Sequence, residues 1–264
     1  MYNFTLSAFG DEIHENITTQ MDVLERNGVK FIEVRNVNGV NISDWKPAEF
    51  KEIIKQMKDR GFGVSSLGSP IGKIGITDDF APHLDKFKNT LDVAAVAETK
   101  YIRMFSFYMP QDKCAEYRDE VLERWNAFIE AAKGYDVTLL HENEGGIYGQ
   151  CAENCYDLIT TLNTEKVRAV YDPANFVVHG HDTLKAFDLL KDYAVYYHIK
   201  DAIKGVMVVP AGEGEGNVPC IIEQLKERGF NGFLSLEPHL ATGDIAVGGD
   251  EKFERALGAL RKLI

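Results

Sequence analysis

The sequence predicts a single α/β domain, a (β/α)8 barrel spanning residues 1–264, on three observations. Short β-rich runs alternate with longer amphipathic stretches along the whole chain. The alternation yields eight strand–helix pairs, and no linker, low-complexity segment or break in composition interrupts it. Eight pairs in a chain of this length is the arithmetic of a closed parallel barrel, which takes about 250 residues. A doubly wound open sheet would show fewer strands and a glycine-rich first turn, whereas the first turn here, Gly10-Asp11-Glu12, is acidic.

The elements read in order as follows. Residues 4–9 form a first strand and 17–27 a helix that stops at Gly28. Residues 30–35 (KFIEVR) are the second strand, and Pro47, suited to a first helical turn, opens a helix running to Gly61. Strand three covers 63–67. The helix over 80–98 puts Leu84, Phe87, Leu91, Ala94 and Ala95 on one face. Strand four is 101–105, with a helix over 113–133 ending at Gly134. Strand five is 137–141 and its helix 152–162; strand six is 167–171, with 184–191 after it. Strand seven is 195–199, with a helix over 218–228 stopped by Gly229, and strand eight, 233–236, precedes a closing helix over 251–264. Two connections are long, 36–46 and 201–217. Both follow strands, so both belong to the face on which barrels build their sites.

Hydrophobic residues make up 45% of the chain and charged residues 27%, an ordinary balance for a globular enzyme. The net charge of −12, from 41 acidic and 29 basic residues, repels phosphate backbones and anionic lipid. It argues against nucleic acid or membrane as a partner and suits a small-molecule substrate. The start, MYNFTLSAFGDEIHEN, has neither a basic leader nor a long apolar run, so the expected location is cytoplasmic. The four cysteines, Cys114, Cys151, Cys155 and Cys220, are too sparse for a disulfide framework and are expected to be free thiols.

Polar residues gather where strands five to eight end, in TLLHENEGG, AVYDPAN, YYHIKD and LSLEPHL. Alternate side chains of a barrel strand point inward, so each strand end can send one residue to the axis. On that parity Glu142, Asp172, His198 and Glu237 converge. Taken singly, an Asp before Pro is a turn residue, a strand-end His a packed one, and either Glu a rim charge. Four such residues on four consecutive strands read instead as the site of one divalent ion. Three carboxylates and an imidazole suit Mn2+ first, with Mg2+, Co2+ or Zn2+ as the other candidates. Without a cation, like-charge repulsion would raise the pKa values of the three acids.

With HENE at 141–144, DPAN at 172–175, HIKD at 198–201, GEGEGNV at 212–218 and LEPH at 236–239, the chain resembles the xylose-isomerase-like barrel superfamily. That group of sugar isomerases and epimerases also contains the endonuclease IV type of DNA-repair enzyme. The resemblance spans nearly the whole chain, with the first half matching mainly in strand pattern. It implies that Glu142, Asp172, His198 and Glu237 bind the metal and that Glu142 and Glu237 also move the substrate's protons. It further implies a sugar substrate and a dimer or tetramer.

The expected activity is isomerisation or epimerisation of a small sugar or hydroxy-ketone by proton transfer beside a carbonyl, with Glu142 and Glu237 as the acid/base pair. Glu33, Arg35, His141, Asn175, Lys200 and His239 are candidates for substrate contacts, with Glu144 near the metal Glu and Phe9, Phe105, Phe107 and Tyr108 as an apolar wall. The glycines at 212, 214 and 216 suggest a phosphate cradle, but Glu213 and Glu215 oppose an anion and no P-loop Lys-Ser/Thr follows, which favours an unphosphorylated substrate. The alternative is a lyase or dehydratase, including one that cleaves a carbon-linked sugar, with His141 or His239 protonating the leaving group. A sugar-binding barrel without turnover is a third class. A repair endonuclease is disfavoured, because Leu67-Gly68-Ser69 and Phe105-Ser106-Phe107 stand where its extra histidines belong.

Overall fold

A computed structural model describes residues 1–205, 207–240 and 248–264. The barrel strands are β1 (Asn3–Phe9), β2 (Phe31–Val34), β3 (Gly63–Gly68), β4 (Tyr101–Met104), β5 (Thr138–Glu142), β6 (Val167–Tyr171), β7 (Ala194–Ile199) and β8 (Asn231–Leu236). Each pairs in parallel with its sequence neighbours, and β8 pairs back onto β1, from Asn3↔Asn231 to Ala8↔Leu236, so the sheet closes. The predicted eight-stranded α/β barrel is the observed fold.

The helices are α1 (Ile17–Arg26), α2 (Pro47–Asp59), α3 (Phe80–Ala97), α4 (Cys114–Ala131), α5 (Ala152–Leu162), α6 (Pro173–Val178), α7 (Thr183–Leu190), α8 (Val218–Glu227) and α9 (Gly249–Arg261). Their ends follow local chemistry. The Asn16 side chain accepts from the Thr18 and Thr19 amides to start α1, and Asp182 does the same for α7 from Leu184 and Lys185. Helices α1 and α2 stop just before Gly28 and Gly61, each in the left-handed region at φ 69° and 72°.

Hydrophobic packing falls into two main parts, with a small third cluster of Ala174, Val177 and Ala202 beside α6. The larger part lies between the strands' outer face and the helices, where Phe80, Phe87, Phe107 and Trp125 gather around Phe128. The smaller part fills the lower barrel interior, where Leu140, Val170 and Tyr196 pack with Tyr101 and Phe233. This inner plug supports whatever stands above it on the same strand faces.

Three elements add to the sequence reading. Residues 36–46 include a small hairpin, Asn36–Val37 against Val40–Asn41; the seventh connection forms another, Asp201–Ile203 against Met207–Val209. The third is α6, which follows β6 directly because Asp172 caps it, accepting the Asn175 amide at 3.0 Å, with Pro173 in its first turn. No helix of the described residues is long and apolar enough to cross a membrane.

Candidate functional site

The inward faces of β5 to β8 carry Leu140 and Glu142, Val170 and Asp172, Tyr196 and His198, Phe233 and Glu237. The lower residues join the apolar plug and the upper ones meet above it. One donor atom from each of Glu142, Asp172, His198 and Glu237 lies within 4.8 Å of the others, and all four residues are buried. His198 Nδ1 is 2.7 Å from Glu142 Oε1, 3.8 Å from Glu237 Oε2 and 3.9 Å from Asp172 Oδ2. Donors bound to one ion at about 2.0–2.2 Å stand no more than about 4.4 Å apart, so the cluster is close to the size an ion requires. Asp172 Oδ2 is also buried without a hydrogen-bond partner; the Lys200 ammonium is 3.0 Å away but out of hydrogen-bonding line. An oxygen-rich set with one imidazole and an orphaned carboxylate oxygen fits a divalent cation.

The motifs also lock one another in place. Asn143 donates from Nδ2 to the Asp172 carbonyl at 2.9 Å and accepts the Asp172 amide at 3.0 Å, so its side chain pins the backbone that presents the carboxylate. Asn175 donates to the Asn143 carbonyl at 2.9 Å, closing the link between HENE and DPAN.

Cations from both halves of the barrel neutralise the acids. Arg103 donates to Glu142 Oε2 at 3.0 Å, and Lys200 reaches Glu237 Oε2 at 2.7 Å. Arg35 spans Asp11, Glu12 and Glu237 at 2.7, 3.3 and 3.3 Å, with its guanidinium 4.8 Å above the Phe9 ring. Burial pushes all three acids upward. For Glu142 the charges of His198 and Arg103 outweigh burial and hold it below the usual carboxylate range; for Glu237, Lys200 and His198 do the same. Asp172 stays raised, because burial and the two Glu charges exceed the pull of Lys200 and His198.

A cavity of about 280 Å³ opens above the cluster, with Arg35, Lys73, Arg103, Glu144, Asn175, Lys200 and His239 on its walls. Glu142 and Glu237 belong to the wall, whereas Asp172 and His198 do not. Of the substrate-contact candidates, Arg35, Asn175, Lys200 and His239 therefore face the cavity, and two candidates do not. Glu33 lies below the floor, fully buried, 3.2 Å from His198 Nε2. His141, one residue before Glu142, points outward, where its Nε2 bonds Ser106 at 2.9 Å and its ring meets Trp125 edge-on. Strand alternation dictates that outward position.

The apolar wall divides similarly. Phe105 lines the cavity and Phe9 packs edge-on against His198, but Phe107 sits in the outer core and Tyr108 is exposed. Arg103 and Lys73 are functional candidates that sequence reasoning missed. Arg103 shares the inward parity of Tyr101 and Phe105, which was its available signal. Lys73 lies on an irregular loop, held 3.0 Å from Glu144 and over the Phe105 ring, and had none.

The glycine loop after β7 has no room for a phosphate. The Asp201 carboxylate, fully buried, accepts the amides of Gly212, Gly214 and Gly216 at 3.0, 3.1 and 2.7 Å, and that of Ala202 at 2.8 Å. A Cβ on Gly214 or Gly216 would come within 2.5 or 2.6 Å of an Asp201 oxygen, so both positions require glycine. All four cysteines are free, and none belongs to the acidic cluster.

Fold and site together define a closed α/β barrel with a carboxylate-rich, metal-competent cluster at its C-terminal mouth. The chain belongs to the xylose isomerase-like TIM barrel family, whose profile matches residues 21–263. Among solved structures it is similar to the IolI protein with a binding zinc atom, at 16% identity and TM-score 0.80, with 98% of each chain covered. It is similar to the probable 3-DHS dehydratase AsbF from Bacillus anthracis, at 17% identity and TM-score 0.78 with 99% of each covered. It also resembles D-psicose 3-epimerase in the presence of D-fructose, at 16% identity and TM-score 0.73 with 98% of each covered. At these identities the likeness establishes the fold alone. No curated protein matches the sequence.

Proposed function

We propose that the protein is a divalent-metal-dependent isomerase or epimerase acting on a small, unphosphorylated sugar or hydroxy-ketone by proton transfer next to a carbonyl. The observation that carries this reading is the division among the four cluster residues: Glu142 and Glu237 reach the cavity wall, while Asp172 and His198 stay behind it. Residues behind the wall can serve only as ligands; residues on it can also meet a substrate. Bound there, a divalent ion, Mn2+ by first choice, supplies electrophilic polarisation of a carbonyl and its neighbouring hydroxyl. Glu142 and Glu237, both held ionised, are ready to accept a proton from the carbon beside that carbonyl and return it. Lys200 and Arg35 hold Glu237 from two sides, and Arg103 holds Glu142, so the two bases keep fixed positions.

An unphosphorylated, neutral substrate is supported by two features. Arg35, Lys73, Arg103 and Lys200 are each already paired with carboxylates. The glycine-loop amides are taken by Asp201. The neighbours described as an epimerase and a probable dehydratase bracket the chemistry. A lyase or dehydratase would begin with the same proton abstraction. What favours keeping it as the second reading is His239 on the cavity wall, 3.4 Å from Glu237, where it can protonate a leaving group.

Proton NMR in D2O, with Mn2+-loaded protein and a panel of ketoses and hydroxy-ketones, tests the reading. Deuterium should enter a carbon beside the carbonyl. Glu142→Gln and Glu237→Gln should each lower turnover by about 10²–10⁴-fold while changing KM far less. A Gln variant with near-normal turnover would remove that residue from the acid/base pair. Absence of exchange across the panel, with loss of water or an aglycone from a glycoside panel, would give the lyase reading the site.

A further inference from the structure

Beneath the cluster, a hydrogen-bonded chain that the proton-transfer scheme does not use runs through the barrel. Ser7 on β1 lies 2.6 Å from Ser65 on β3, and Ser65 is 2.9 Å from the Tyr196 hydroxyl on β7. Tyr196 donates to Glu33 Oε2 on β2 at 2.9 Å, and both Glu33 oxygens stand 3.2 Å from His198 Nε2. Ser7, Glu33, Tyr196 and His198 are wholly inaccessible to solvent, and Ser65 is nearly so. Burying a carboxylate in a barrel interior is unfavourable unless donors satisfy it, and an apolar side chain would fill the same space without that requirement. Glu33 finds its donors in the Tyr196 hydroxyl and the imidazole.

We propose that Glu33, oriented by Tyr196, is a positioning residue that fixes the proton of His198 on Nε2 and so leaves Nδ1 as the metal-facing nitrogen. Carboxylates flank both ring nitrogens; a cation bound at Nδ1 would take the place of the proton there, and the nitrogen that donates to Glu33 keeps its own. Only Nδ1 faces Glu142, Asp172 and Glu237. The ring cannot easily turn over to exchange the two nitrogens, because Phe9 meets it edge-on at 5.1 Å and Tyr196 at 5.8 Å. Position and orientation are thus set from β1, β2, β3 and β7 before an ion arrives, and the tautomer follows when it binds. The carboxylate also raises the basicity of the coordinating nitrogen, as outer-sphere acids do at metal-bound histidines. The assignment rests on the metal reading of the cluster.

The test is competitive titration of Zn2+ against a chromophoric chelator with the full chain, alongside 15N NMR of histidine-labelled, Zn2+-loaded protein. Glu33→Ala should weaken Zn2+ binding by about 10–100-fold and erase the single Nε2-protonated state of His198. Glu33→Gln, whose amide oxygen still accepts from Nε2, should keep the tautomer and lose less affinity. Tyr196→Phe should lose less again. A Glu33→Ala protein that melts like wild type, binds Zn2+ within about twofold of it and keeps the Nε2 proton overturns the assignment. Should Glu33→Ala not fold, Tyr196→Phe decides: weaker binding supports the chain's role and unchanged binding overturns it. If the wild-type protein binds neither Zn2+ nor Mn2+, the metal reading falls and this assignment with it. Wild-type binding with indifferent variants removes the assignment alone.

Discussion

The two halves of the barrel contribute different kinds of group to one site. Strands β5 to β8 end in the cluster itself, Glu142, Asp172, His198 and Glu237, whereas β2 and β4 contribute Glu33, Arg35 and Arg103, which position and neutralise it. Two guanidinium groups from the first half, with Lys200 from the second, make the cluster self-compensating. A metal ion would therefore add to an assembled site, unlike the small zinc domains whose folding is the binding event.

The largest effect that can break this picture comes from Arg103→Met. Arg103 is buried against Glu142, and removing one partner of a buried pair leaves an uncompensated charge worth about 3–5 kcal/mol. Urea unfolding in EDTA should show a loss of that order, and a much smaller loss with saturating Mn2+, because the ion takes over the compensation. Equal losses under both conditions would mean that Arg103 acts only by packing.

Asp201→Asn sharpens the comparison on the side that carries the acidic cluster. The amide retains one oxygen where the carboxylate accepted four N–H groups, leaving buried donors unpaired at a cost of about 1–3 kcal/mol. Urea unfolding of the variant should show that loss whether or not metal is present. Restoration of stability by metal would place Asp201 in the metal's circuit instead of the loop's.

The smallest effect concerns the loop that carries Lys73. The Gly72 amide donates to His83 Nε2 at 2.7 Å, which requires a neutral ring, and burial together with Lys86 and Arg124 lowers that histidine to about 4. A folded-state pKa below the unfolded value means that the contribution is complete above about pH 6.5 and is lost as pH falls toward about 4. The stability difference between wild type and His83→Ala, about 1 kcal/mol at pH 7.5, should shrink over that window. A difference constant from pH 7.5 to 4.5 would show that the imidazole's proton is irrelevant there.

The acidic cluster was legible because each of its residues ends an apolar run just before a loop, where strand parity aims it inward. The same parity, applied consistently, would have removed His141 from the pocket and added Arg103. Depth was the harder quantity. Glu33 on β2 and Arg35, one residue past its end, share an inward parity, yet one lies beneath His198 and the other at the mouth. How high a residue sits depends on the stagger between strands, a property of the closed barrel that no single strand records. Helix α6 was hidden because Asp-Pro signals a turn, although Asp172 serves as helix cap and as a member of the acidic cluster at once.

The cage around Asp201 bears on what this barrel could become. Its three glycine amides and the Ala202 amide already converge on one anionic group, and that group is supplied by a single side chain of the protein. A change of Asp201 to a small neutral residue would leave convergent donors on a loop next to the mouth, the starting condition of an anion receptor. A single substitution would thus turn a loop filled from within into one open to an anion from outside.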